Sequence, residues 1–330
     1  MSEQHALLAD TADKVFAALS GDFAADWRAV EDAGLAAVMV PEAQGGFGGG
    51  FEDATIILHA AGRHAAALPM AETILAARLL AESGLAAAGS LTLAKDAGGK
   101  LEDGCFTGTL SGVACAEDCA RVIAIVEDQV ISLACGEAEV VERRSDPADT
   151  PYLTLRFAKA PVAAAPTAWT PHRLFHAMAL ARAAQIGGAI TAALELAATH
   201  VNQREQFGRP LAKFQAIQQQ MAVLAEEDAA ANAAARAAAR AADAGEADFP
   251  IACAKLRANR AAGEAASIAH QVHGAIGFTR EYDLQRFTRR LWAWRSEYGN
   301  ERHWANLLGG QVARHGADGF WPGLVADFAG

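Results

Sequence analysis

The chain is short of positive charge: 28 lysines and arginines face 39 aspartates and glutamates, a formal net charge of −11. That deficit argues against a nucleic-acid surface, which needs clustered Lys and Arg. It leaves room for a small anionic ligand, because a few local arginines can dominate one site. Cysteine is also scarce. The five (Cys105, Cys115, Cys119, Cys135, Cys253) are odd in number and lack the spacing of a disulfide scaffold. Cys115 and Cys119 have no second pair or nearby histidine to complete four ligands, so reduced, mostly buried thiols and no metal are expected. Charged or polar residues interrupt every apolar run, and no window approaches the ~20 apolar residues of a membrane span. No membrane partner is expected. Met1-Ser-Glu-Gln-His lacks a basic segment followed by an apolar core, unlike a signal peptide. A cytoplasmic location is the expectation.

What is present is a globular balance, with 52% hydrophobic and 20% charged residues. A chain of 330 residues suffices for two or three packed units. Alanine is over-represented, which favours close-packed helices with small side chains at their contacts. Residues 1–92 read as a helical domain. Leu7, Leu8, Val15, Phe16 and Leu19, then Trp27, Val30 and Leu35, recur at helical spacing. A glycine-rich break at 41–50 precedes helical residues from Phe51, and Pro69 suits the first turn of another helix. Residues 93–163 change period. Val122–Val126 and Val130–Leu133 read as two strands around a turn, and Tyr152–Phe157 alternates as a half-buried strand does. Pro147, Pro151, Pro161 and Pro166 punctuate the end of this small β domain. Residues 164–330 return to long helices: Leu174 to Gln203, one opened by Pro210, one from Pro250 towards His270, and one from near Asp283 past Trp304. Short connections predict an up-and-down four-helix bundle. Within its alanine-rich run, Asn232, Arg236 and Arg240 share one face and read as a solvated stripe. The fold class expected is mainly α with a small central β domain.

The glycine cluster Gly45–Gly50 is not a dinucleotide fingerprint, since from Gly46 the third glycine position is Phe51. No Lys-Ser or Lys-Thr follows it, so it reads as a tight turn. Two later segments, about sixty residues apart, are more informative. Arg204-Glu-Gln-Phe-Gly-Arg-Pro-Leu-Ala-Lys-Phe-Gln215 lies where one long helix ends and the next begins. A guanidinium there can pair with phosphate oxygens in a geometry that Lys cannot supply. Gln271-Val-His-Gly-Ala-Ile-Gly277 is an interhelical turn. Its two glycines let the main chain approach a ligand and present N–H groups to anionic oxygens. Alone it is a plain turn, and a lone histidine such as His273 more often satisfies a neighbouring backbone group.

Together, and continued by Phe278-Thr-Arg-Glu-Tyr, the two segments resemble the acyl-CoA dehydrogenase family of flavoproteins. The resemblance implies an N-terminal helical domain, a β domain and a C-terminal four-helix bundle, with FAD as cofactor. It implies that Arg204 contacts the FAD pyrophosphate of a neighbouring subunit, that Phe207 packs near the adenine, and that Gln215 hydrogen-bonds the cofactor. It places Gln271, Val272, His273, Gly274 and Gly277 around the ribose and pyrophosphate. Family members usually carry Glu immediately before the glycine of the segment Trp294-Arg-Ser-Glu-Tyr-Gly299, as the base that removes the α-proton. Here Tyr298 occupies that place at the end of a helix, and Glu297 sits one residue earlier, a rotation of ~100° that points it elsewhere. A phenol with a reference pKa of ~10 is a poor base at neutral pH. The alternative family position for the base falls near Met178, and no carboxylate lies in Leu174–Gln185. Ala179 stands where the family often has an arginine near the CoA phosphate. Family strands that cover the flavin ring have no counterpart in the β domain beyond Thr107-Gly-Thr-Leu-Ser-Gly. The pattern is similar to one subunit of a heteromeric acyl-CoA dehydrogenase of steroid side-chain degradation. On that reading a homologous catalytic subunit (α2β2), an acyl-CoA substrate and an electron-transfer flavoprotein are the partners. Two other readings stay open: a self-sufficient homo-oligomer using Glu297 or another base, and a non-enzymatic assembly protein.

Overall fold

The computed structural model describes residues 2–245 and 247–328. It divides into two compact units, Met1–Ala54 with Ala67–Met178, and Thr55–Ala66 with Ala179–Gly330.

The first unit begins with α1 (Glu3–Ala17) and α2 (Phe23–Asp32). Each starts at a side chain that accepts an otherwise unmatched helical N–H: Ser2 from His5, and Asp22 from Ala25. Phe16, Trp27 and Val30 point inward, whereas Leu7 leaves the expected stripe and is exposed. The glycine-rich turn ends where α3 (Phe51–Arg63) starts, and Asp53 accepts the Gly50 N–H at 3.0 Å. α4 (Met70–Glu82) follows Pro69 and is buried at every position from Met70 to Ala77. Thr73 on it donates to the Leu91 carbonyl at 2.5 Å, tying the helix to the first strand.

Eight strands follow: β1 (Leu91–Leu93), β2 (Asp96–Glu102), β3 (Cys105–Ala114), β4 (Arg121–Val126), β5 (Gln129–Ala134), β6 (Glu139–Ser145), β7 (Pro151–Pro161) and β8 (Ala163–Pro166). They form two four-stranded sheets, β1-β4-β5-β8 and β2-β3-β7-β6. Only β1 with β4 pairs in parallel. The β4–β5 hairpin turns on Glu127 and Asp128, both at positive φ (49° and 63°), the geometry of a two-residue hairpin loop. Phe106 and Leu110 of β3 and Leu155 and Phe157 of β7 share one apolar core with Val122 of β4 and Ile131 and Leu133 of β5.

The second unit contains most of α5 (Pro171–Gln203), α6 (Gln215–Ala244), α7 (Asp248–His273), α8 (Leu284–Trp294) and α9 (Glu301–Phe328). α7 packs against α6, α8 and α9. Alanines are prominent among the buried residues of this pair: Ala231, Ala235 and Ala238 on α6, and Ala254, Ala258 and Ala262 on α7. The latter half of α3 crosses α5 closely enough that a Cβ at Gly188 would stand 1.9 Å from the His59 carbonyl oxygen.

Four expectations need correction. Pro210 does not open a helix, because the chain first forms a hairpin of Glu205–Gln206 with Arg209–Pro210, and α6 starts at Gln215. The last predicted helix is broken between Trp294 and Glu301, where Tyr298 and Gly299 adopt positive φ (49° and 94°). Asn232 is buried, donating to Asp228 at 2.9 Å, while Arg236 and Arg240 remain exposed. α5 is long and apolar enough, by length and composition, to cross a membrane. However, 89% of its most apolar window is buried within the fold, as befits a central bundle helix.

Candidate functional site

The C-terminal ends of α5 and α7 meet through stacked histidines. His200, in the last turn of α5, lies 4.5 Å centroid to centroid from His273 at the end of α7. His273 Nδ1–H donates to the Ala269 carbonyl at 2.7 Å, so its Nε2 accepts from the Tyr282 hydroxyl at 3.2 Å. Burial holds both imidazoles below the ordinary histidine pKa. For His200 the neighbouring His273 and Arg204 add to the effect, while for His273 burial outweighs its hydrogen bonds to backbone carbonyls. The junction is therefore neutral and fixed.

From this junction both sequence-predicted segments emerge. The Arg204 N–H still bonds the His200 carbonyl at 2.8 Å, which places the arginine one turn beyond the stack. The hairpin that follows turns on Phe207 and Gly208, at φ 52° and 77°. Phe207 is 92% exposed, its ring edge-on to that of Phe214 at 6.2 Å centroid to centroid. Arg209 stacks over Phe214 at 4.2 Å. Gln215 opens α6, and Arg204, Gln215 and Gln271 are all exposed. Gly274 has φ 66° and ψ −145°, with nothing within 4 Å of where a Cβ would lie. This backbone is open to a ligand. The remaining residues of the loop are held differently. The Val272 and His273 side chains are buried in the bundle, and Gly277 is packed against His273 and Leu284. They support the loop from inside, which leaves the main chain as their route to a ligand. An anionic dinucleotide needs a cation, polar donors and a close main-chain approach. Arg204, Gln215, Gln271 and Gly274 are residues of these kinds, and all four are exposed.

The second cluster lies behind the turn after α8. Glu297 is not on a helix, so the rotation expected for it does not apply. Its carboxylate instead accepts from Arg182 Nε at 2.7 Å, with side-chain exposures of 9% and 4%. Arg182 also donates to Gln185 Oε1 at 2.6 Å, and its guanidinium stands 5.9 Å from the ring centres of Trp294 and Tyr298. Lys255, fully buried on α7, donates to Asn259 and to carbonyls of this turn. Burial pushes its pKa down to about 7. Gly299 is closely packed, since a Cβ would lie 2.4 Å from Trp304 Nε1.

The expected base position thus holds a phenol, and the adjacent carboxylate is engaged by a guanidinium inside the bundle. Sequence reasoning missed Arg182, Gln185 and Lys255. Their only signal was charge or polarity inside alanine-rich helices, and a buried pair 115 positions apart leaves no local pattern. In the β domain, Thr107 of the Thr-Gly-Thr-Leu-Ser-Gly remnant lies on β3 and accepts the Lys159 N–H at 3.1 Å.

The sequence matches the family described as acyl-CoA dehydrogenase, N-terminal domain, over residues 3–99, and acyl-CoA dehydrogenase, C-terminal domain, over residues 170–306. It is 31% identical over 283 residues to the acyl-CoA dehydrogenase IpdE2 of Mycobacterium tuberculosis, covering 84% of each chain. It is 28% identical to the acyl-CoA dehydrogenase FadE28 of the same organism, covering 92% of this chain and 96% of the relative. Among solved structures, it superposes on the Tcur3481–Tcur3483 steroid ACAD with a TM-score of 0.83 at 24% identity, covering 94% of this chain and 98% of the other. For the ChsE4–ChsE5 complex of Mycobacterium tuberculosis the TM-score is 0.82 at 22% identity, with 96% and 99% covered. At those identities the structural likeness establishes the fold.

Proposed function

The chain belongs to the acyl-CoA dehydrogenase family, and from that premise we propose that it is the subunit of a heteromeric enzyme that completes the FAD site without supplying the catalytic base. The assembled reaction is the α,β-dehydrogenation of an acyl-CoA thioester, with a steroid side chain as the substrate class. FAD, when bound, would supply the acceptor for the hydride lost from the acyl β-carbon. This chain binds and orients the dinucleotide end: Arg204 pairs with the diphosphate, Gln215 and Gln271 donate hydrogen bonds, Phe207 packs against the adenine, and the Gly274 main chain lets the phosphates approach. A homologous subunit supplies the flavin-ring pocket and the base, the electron acceptor is an electron-transfer flavoprotein, and the location is cytoplasmic.

The observation that carries this reading is the engaged state of Glu297. A general base must reach the substrate proton, and this carboxylate is held by Arg182 behind the turn while Tyr298 takes the expected place. The outward-facing dinucleotide end agrees with donation to another polypeptide, because a half-site that serves a neighbour must be exposed in the separated chain. The test is purification of the chain alone and co-expressed with a complete homologue. The lone chain should show no flavin absorbance and no acyl-CoA oxidation, and the pair should show both. Turnover by the lone chain that Glu297→Gln abolishes would refute the assignment.

A further inference from the structure

Lys255 is a buried cation that the proposed function does not use. Its Nζ faces four oxygens: Asn259 Oδ1 at 2.5 Å, and the carbonyls of Trp294, Gly299 and Arg295 at 3.0, 3.4 and 3.5 Å. The first and last of those carbonyls terminate α8, where acceptors have no partner within the regular helix and positive charge is favoured. The Gly299 carbonyl also accepts from Asn259 Nδ2 and from Trp304 Nε1, each at 3.1 Å. Trp304 Nε1 reaches the Tyr298 carbonyl at 3.1 Å as well. One side chain thus gathers both ends of the turn that bears Tyr298.

We infer that Lys255 is a positioning residue, a charge-dependent clamp that fixes the Trp294–Gly299 turn as an ammonium and slackens it as an amine. An ammonium offers three N–H donors to the four oxygens. An amine offers two, and its lone pair faces a carbonyl. The surroundings set the exchange near neutrality. Burial opposes the charge most strongly, Glu297 and Glu301 favour it, and Arg182 and Arg295 oppose it, with the balance at about pH 7. His303 also borders the turn, its ring edge-on to Trp304 at 4.8 Å. The clamp rests on the proposed function only for the meaning of the turn as the family's base position.

The Trp304 indole N–H reports on the turn without flavin, partner or substrate. In the isolated chain carrying 15N-tryptophan, with its resonance assigned by loss in Trp304→Phe, that signal should titrate with a midpoint near pH 7. The titration should persist in His303→Gln, vanish in Lys255→Met, and move to lower pH in Glu297→Gln, which removes an anion that favours the ammonium. A static wild-type signal, or an unchanged titration in Lys255→Met, overturns the clamp. Circular dichroism checks that Lys255→Met is folded. If it is not, the midpoint in Glu297→Gln decides, and a midpoint that stays in place or rises overturns the clamp. Failed reconstitution of flavin would leave this result standing, and a failed titration would leave the subunit assignment standing.

Discussion

Asp26 and Lys255 are buried ions that raise stability with pH in two separate windows. Asp26 accepts from the Ser20 N–H, the Ser20 hydroxyl and the Gly21 N–H at 2.7, 2.8 and 2.9 Å. Burial alone would raise its pKa, but those bonds together outweigh it and bring the pKa below 3.8. Between the lowered folded value and 3.8 the unfolded chain binds the extra proton. The contribution is therefore complete above 3.8 and is lost as pH falls through the folded value. Asp26→Asn should cost about 1–3 kcal/mol at neutral pH and flatten the acid limb of a urea-denaturation series. Lys255 behaves alike at higher pH. The unfolded lysine holds its proton to 10.5 and the folded one to about 7, so stability from this group rises between those values. Subtracting the Lys255→Met series from wild type should isolate that slope, and a flat difference across the window would contradict the buried-cation account. Gly299 is a steric matter. With φ 94° and a Cβ overlap on Trp304 Nε1, Gly299→Ala should cost about 3 kcal/mol, measurable as a lowered urea midpoint at unchanged slope.

Elements were legible where local chemistry decided them. The glycine-rich break before Phe51, the start of α4 after Pro69 and the β4–β5 hairpin follow from turn residues and periodicity within a few positions. The failures occurred where backbone geometry at one or two residues overrode the pattern. Pro210 reads as a helix start, yet the positive φ of Phe207, a residue without the usual turn preference, inserts a hairpin first. The apolar spacing across Trp294 and Trp304 reads as one helix, yet Tyr298 and Gly299 break it. The dinucleotide segments were named through the family resemblance, and nothing in their local pattern records that the His273 ring turns inward, since that depends on its stack with His200 far back in the chain. The crossing of α3 over α5 was equally silent, because a glycine within a helix carries no record of its neighbour. Gly188→Ala should drive α3 off α5 and cost about 3 kcal/mol or more. Faster hydrogen exchange confined to Thr55–Ala66 and the facing part of α5 would mark the lost crossing, and unchanged exchange there would contradict it.

At the scale of the whole molecule, the proposed assignment separates two demands that one enzyme ordinarily meets in a single site: gripping a dinucleotide and abstracting a proton. The gripping end contributes little to the chain's own stability, since Arg204, Phe207, Gln215 and Gln271 are exposed and Phe207 sits at a positive φ that glycine adopts freely. This divides the effects of substitution cleanly. Phe207→Gly relieves about 1 kcal/mol of backbone strain, and Arg204→Ala removes an exposed side chain, so neither should lower the thermal midpoint of the isolated chain. In the co-expressed complex both should reduce bound flavin. Arg204→Ala should act more strongly, because it removes a charge-assisted pair worth about 1.5–3 kcal/mol, or roughly tenfold or more in cofactor affinity. A complex that keeps full flavin occupancy with both substitutions, under dilution that strips a weakened cofactor, would show that this end of the bundle does not face the dinucleotide.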